Sequence, residues 1–473
     1  MGPKSRIPIA TAIAPAVALF AAVAMLAPAW PAWWGAWAWA ESGVPLRVGL
    51  LFAALSLAAA LIASRGVASQ LLQWAGTLRP SWRWLPGLWL LCWLARERRH
   101  FGDWVSIGFT TALIPDWILE PIIFYRQPLA HGFIWLHWRA LYLVSPSWEI
   151  RDTIQMTMSL WGAMFLVLWG ILCRELVGPG RRAGLLWLWC ATSGLLALAL
   201  GHIETYAISL SALFAACIAC SRYLRGAGSL WMAAAACVVA VGVHPQHAIL
   251  AAGVAAAIVP CWWLRSSWPV RGIGVGGGAL LLAIGAAVLL LPQTRFVLEN
   301  MTHGGTDKAF LSPAAALSGE RAFQAANVVL IAIPMAVPLL LVSIWNRRAP
   351  IARLDARLFV AASAGAGIAY MIFVYNKLEM SEDWDLVGPS LALIQTATGV
   401  IILSAFPRRK GAIALLAGVV LQCALTGLQV VHRWQVEPKK AESYNRYLED
   451  VRANQRIIEE RWCRKSWEDM QRH

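Results

Sequence analysis

Apolar runs of about twenty residues recur from one end of the chain to the other, and that recurrence limits the fold more than any motif does. Wound as a helix rising about 1.5 Å per residue, such a run matches the roughly 30 Å hydrocarbon core of a bilayer. Within that core each backbone N–H and C=O needs a partner inside its own segment, so runs of this kind fold as helices. Of the 473 residues 59% are hydrophobic and only 14% are charged. The chain therefore predicts an all-α, polytopic transmembrane helical bundle rather than a string of soluble domains.

Thirteen spans are expected, at about 7–29, 44–64, 84–95, 153–173, 183–201, 203–221, 229–247, 248–264, 273–292, 323–345, 357–376, 386–406 and 411–431. The first, with Lys4 and Arg6 ahead of its apolar core, reads as an uncleaved anchor rather than a signal peptide. Residues 1–431 then form one membrane domain, with a large outer loop at about 96–152. Residues 104–152 mix prolines, aromatics and short apolar segments, which predicts two amphipathic helices on the outer membrane surface. A similar interfacial helix is expected on the inner side within 66–83. The tail, 432–473, carries opposite charges at helical spacing and predicts a solvated helix.

Placing the N-terminus inside puts 19 basic and two acidic residues on the inner loops. The outer side up to residue 431 then holds 11 basic and 15 acidic residues. That asymmetry is the positive-inside pattern of a multi-pass membrane protein, and it accounts for the net charge of +15 without a nucleic-acid partner. Arginine outnumbering lysine, with abundant Ala, Gly and Trp, points to a GC-rich bacterial genome and hence a bacterial inner membrane. It also puts GHIETY (201–206), with His202, Glu204 and Tyr206, at an outer rim, not at mid-membrane. An ionised glutamate at the bilayer centre would cost about 2.5–3.5 kcal/mol or more.

The other polar clusters fall on the same side: RERRHFGDW (96–104), with Arg98, Arg99 and Asp103; HPQH (244–247); and YNKLEMSEDWDL (375–386), with Lys377, Asp383 and Asp385. Each has a plain reading. Asp103 can pair with Arg98 or Arg99, His202 and Glu204 can mark a helix terminus, and Asp385 can cap the following span. His244 and His247 have the spacing of metal ligands, but Pro245 lies between them and no third ligand is evident, so a helix cap or substrate contact is favoured. Cys217 and Cys220 form a C-x-x-C on one helix face; without a second pair they read as packing, with no disulfide framework implied.

In their order these motifs — FGD, GHIETY, HP, ERAFQAANVVLIAIP and EDWDL, over about 95–395 — resemble bacterial members of the GT-C glycosyltransferase superfamily. The resemblance implies a GT-C-like bundle that takes a sugar from a polyprenyl-phosphate donor and transfers it to an extracytoplasmic glycan, lipid or protein acceptor. It implies Asp103 as the general base, with His202, Glu204, His244, Asp383 and Asp385 lining or bracing a periplasmic cavity. Tyr206, His247 and Lys377 belong to the same clusters. Arg98, Arg99, Arg126, Arg295 and Arg321 are candidates to meet the phosphate. GDW stands here where relatives have GDG, and Gln127 stands where an acid is expected before Pro-Leu. A metal-independent reaction without a cofactor is therefore expected, a divalent cation being the less favoured alternative. The rival readings are a transporter or flippase of a lipid-linked sugar and a non-catalytic scaffold.

Overall fold

A computed structural model describes residues 9–26, 43–96, 150–200, 206–267, 311–345, 355–373, 387–406 and 408–434. Among them the chain is helical, with no strand. The helices used below are α1 (Ile9–Leu26), α2 (Val44–Ala63), α3 (Arg65–Thr77), α4 (Leu85–Leu94), α5 (Ile150–Val177), α6 (Arg181–Ala191), α7 (Tyr206–Leu224) and α8 (Leu230–Val243). They continue as α9 (Gln246–Arg265), α10 (Gly319–Ala332), α11 (Ala336–Trp345), α12 (Ala356–Phe373), α13 (Gly388–Ala405) and α14 (Arg408–Trp434).

Seven helices among the described residues are long and apolar enough to cross a membrane, or eight if the bent pair α10–α11 counts as one. Where this count among the described residues differs from the expected thirteen, the reasons are local to each segment. Helix α4 has ten residues, about 15 Å, half of a bilayer core. The fifth expected span breaks at Thr192–Ser193, passing from α6 into a 3-10 turn over Gly194–Ala199. The tenth bends by 99° between α10 and α11, where Pro334 stands. The 273–292 run, the outer-loop helices expected within 104–152 (save 150–152, which open α5) and the tail beyond Trp434 lie outside the described residues. The interfacial helix expected within 66–83 has a counterpart in α3, which buries Ala68 and Ala75 and exposes Arg65, Gln70, Gln73 and Trp74.

Helix α13 is the hub, buried along nearly its whole length, whereas α2 packs on α1 and α14 at the perimeter and exposes most of its surface. Between α5 and α7, Trp169 stacks on Phe214 with ring centroids 4.9 Å apart. Trp169 Nε1–H then donates to Thr396 Oγ1 on α13 at 2.7 Å, so the ring's one polar atom stays satisfied in the apolar interior.

Arginines close one end of the bundle. Arg265 donates to the carbonyls of Tyr223 and Leu224, both at 2.9 Å, capping the C-terminus of α7. Arg182 caps α13 at Leu403 O (2.5 Å), and Arg357 caps α5 at Leu176 O (3.2 Å). Glu175 pairs with Arg222 and Arg225 beside them. The last carbonyls of a helix lack intrahelical partners and carry its negative dipole end, so a guanidinium from a neighbouring helix satisfies both the hydrogen bonds and the charge. All of these are ends that the charge count assigns to one side, and the fold brings them together.

Two helix breaks meet in the interior. Gly194, just past the break in α6, abuts the Ile331 carbonyl at the end of α10 so closely that a Cβ there would overlap the oxygen. Carbonyls freed by the break find donors far away in sequence. Gln395 Nε2 and Gln422 Nε2 both donate to Trp189 O at 2.8 Å, and Thr426 Oγ1 donates to Thr192 O at 3.0 Å. Irregular backbone at membrane depth persists only where protein atoms re-satisfy it in this way.

Candidate functional site

The end of α7 opposite the arginines begins at Tyr206, and there the described part of the site assembles around HPQH. Proline fixes its own φ, has no N–H to donate and pushes the preceding residue into extended backbone. His244 accordingly has φ −152° and ψ 120°, and the chain breaks between α8 and α9. The His244 side chain caps the new helix, Nδ1 accepting the Gln246 N–H at 3.2 Å. In the neutral ring that puts the hydrogen on Nε2.

His247 lies one turn on and is fully buried. Its Nδ1 faces Ala240 O at 2.8 Å, and a carbonyl can only accept, so Nδ1 carries the hydrogen. Nε2 then accepts from the Ser209 hydroxyl of α7 at 3.0 Å. The two histidines thus hold opposite tautomers. Their ring centroids are 5.7 Å apart, and Tyr206 lies 5.9 Å from His244 on the other side. With both nitrogens engaged by protein atoms, His247 acts as a pin between α7, α8 and α9 and offers no lone pair to a metal. No group of three or more His, Cys, Asp or Glu side chains converges on a metal position among the described residues.

Gln246 was hidden in the sequence between the two histidines. Its Nε2 donates to Ser390 Oγ at 3.0 Å, tying the HPQH turn to the first turn of α13, while its buried Oε1 has no partner among the described residues. Ser209 and Ser390 were equally silent, being small polar residues inside apolar runs. A glutamine inside an H-P-Q-H turn was the one available signal.

Of the residues singled out by sequence, Tyr206, His244 and His247 are brought together. Arg321, a phosphate candidate, lies on α10, mostly buried, with Nη2 donating to Met371 O of α12 at 2.7 Å. Asp103, His202, Glu204, Arg98, Arg99, Arg126, Arg295, Lys377, Asp383 and Asp385 lie outside the described residues. The described chain resumes at Tyr206, two residues after Glu204, and at Val387, two after Asp385.

Farther along α9 one turn widens to π geometry over Val254–Ile258, just before Pro260, which has no N–H to give to the Ala256 carbonyl. The HPQH end therefore sits on a helix that is irregular at both its start and its middle.

No protein-family model, curated protein or solved structure matches the chain.

Proposed function

We propose that the chain is a GT-C-type glycosyltransferase of a bacterial inner membrane, with its N-terminus in the cytoplasm and its site facing the periplasm. In this reading a sugar passes from a polyprenyl-phosphate donor to an extracytoplasmic acceptor, and Asp103 takes the proton of the incoming hydroxyl as the phosphate departs. The polyprenyl chain lies among apolar helices while arginines at the rim hold the phosphate. The reading is supported most by one observation: residues of GHIETY and HPQH, far apart in sequence, meet at the bundle end opposite the arginine caps. In sequence, Glu204 and Asp385 each precede a described residue, Tyr206 and Val387, by two positions.

The transporter or flippase reading has an observation of its own. Broken helices whose discontinuities meet in the apolar interior, as at Gly194 and Ile331, are where secondary transporters place substrate. One experiment separates the two. Protein reconstituted in vesicles is given radiolabelled polyprenyl-phosphate sugars together with a membrane extract as acceptor source. Label recovered on an acceptor supports the transferase. Labelled lipid that crosses the bilayer intact, with no transfer, supports the flippase and overturns the first reading.

A further inference from the structure

Cys220 Sγ on α7 and Cys237 Sγ on α8 lie 3.6 Å apart, two sulfurs in van der Waals contact. The helices are antiparallel neighbours joined by the turn 225–229, in which Gly226 takes φ 77°. Cys220 is buried, whereas Cys237 is only half-buried: it lies on the inward side of α8 with Ala233 and Ala240, at the edge next to the exposed Ala234 and Val241 one turn away on either side. A small apolar oxidant reaches Cys237 from that edge, which adjoins the exposed apolar surface of α8. Cys173 and Cys190, by contrast, are sealed in the core.

We propose that Cys220 and Cys237 form an oxidisable dithiol, a covalent modification site for lipid-soluble two-electron oxidants of the quinone class. Two S–H bonds break and one S–S bond forms. The quinone takes up the two electrons and two protons and leaves as the hydroquinone. A disulfide needs its sulfurs about 2.05 Å apart. Side-chain rotation with a small approach of α7 and α8 closes the gap from the present 3.6 Å. The bond staples the α7–α8 hairpin, whose far end carries Ser209, Ala240 and His244. The proposal is independent of the glycosyltransferase reading.

The test uses the full-length protein in phosphatidylethanolamine–phosphatidylglycerol nanodiscs, treated with a short-chain benzoquinone and digested under non-reducing conditions. Trypsin cuts after Arg222 and Arg225, so the two cysteines fall on different peptides unless a disulfide joins them. The expected result is a linked peptide two hydrogens lighter than the sum of its parts, with fragment ions that place the bond on Cys220 and Cys237. A phosphine reductant should reverse it. Cys217→Ser should retain the link and Cys237→Ala should abolish it. Because the wild-type protein alone gives the mapping, a poorly folding variant does not blunt the test. Quantitative maleimide labelling of both cysteines after quinone treatment overturns the proposal. So does a bond on Cys217, or one between Cys173 and Cys190 in place of Cys220–Cys237.

Discussion

His247 and Ser209, thirty-eight residues apart, share a 3.0 Å hydrogen bond that pins the start of α7 to the start of α9. His247 is wholly buried, so its removal leaves a cavity as well as an unpaired hydroxyl. His247→Ala should lower unfolding free energy by about 2–4 kcal/mol, combining both effects. A double-mutant cycle with Ser209→Ala, measured by denaturant unfolding in detergent, should show a coupling of about 0.5–3 kcal/mol. Strict additivity would mean that the two side chains do not interact. His244→Ala removes the helix cap and also a buried ring packed between Tyr206 and His247, and should cost about 2–4 kcal/mol.

Arg265 reaches two carbonyls at once, which a lysine cannot do with the same planar fork. Arg265→Gln should destabilise by about 1–3 kcal/mol, the range for hydrogen bonds to a charged group, and Arg265→Lys should recover only part of this. Thermal melts of the three proteins side by side are the measurement; a lysine variant indistinguishable from wild type would contradict the bidentate cap.

Gly194 and Gly365 should respond in opposite senses to alanine. At Gly194 the added methyl collides with the Ile331 carbonyl, and overpacking of that kind costs about 1–3 kcal/mol. At Gly365, on an exposed part of α12, nothing lies within 4 Å of the new Cβ, so helix propensity alone acts and stability should rise by up to about 1 kcal/mol. Paired melting curves check both signs.

Asp103→Asn tests the proposed chemistry directly. Loss of a general base should lower transfer by about 10²-fold or more while leaving the melting point unchanged. Wild-type transfer by this variant would remove Asp103 from the mechanism.

Much of the fold was legible because hydropathy is a local property. Residues 357–376, 386–406 and 411–431 correspond closely to α12, α13 and α14. The common side of the basic ends was also legible, since the charge count grouped Arg182, Arg265 and Arg357 before any contact was known. The break in α6 was not. Thr192–Ser193 interrupts a run of ordinary apolar residues, and the groups that make the interruption tolerable are Gln395, Gln422 and Thr426, more than two hundred residues later. Pro334 stands at the second break, but the apolar run around it predicted one uninterrupted span over 323–345. At the site, the proline-induced turn at His244 followed from sequence, but the division of labour between the histidines did not. Which ring is a cap and which a pin depends on Ala240 and Ser209, whose positions only the packed bundle supplies.

The arginine caps complicate any attempt to map sidedness. Arg182, Arg265 and Arg357 would each be natural targets for charge removal in an insertion assay with reporter fusions, yet each also terminates a neighbouring helix. Deleting one uncaps a partner, so an inverted reporter signal would mix altered insertion with unravelled ends. Appending lysines to the opposite loops, which touches no cap, is the cleaner way to challenge the orientation.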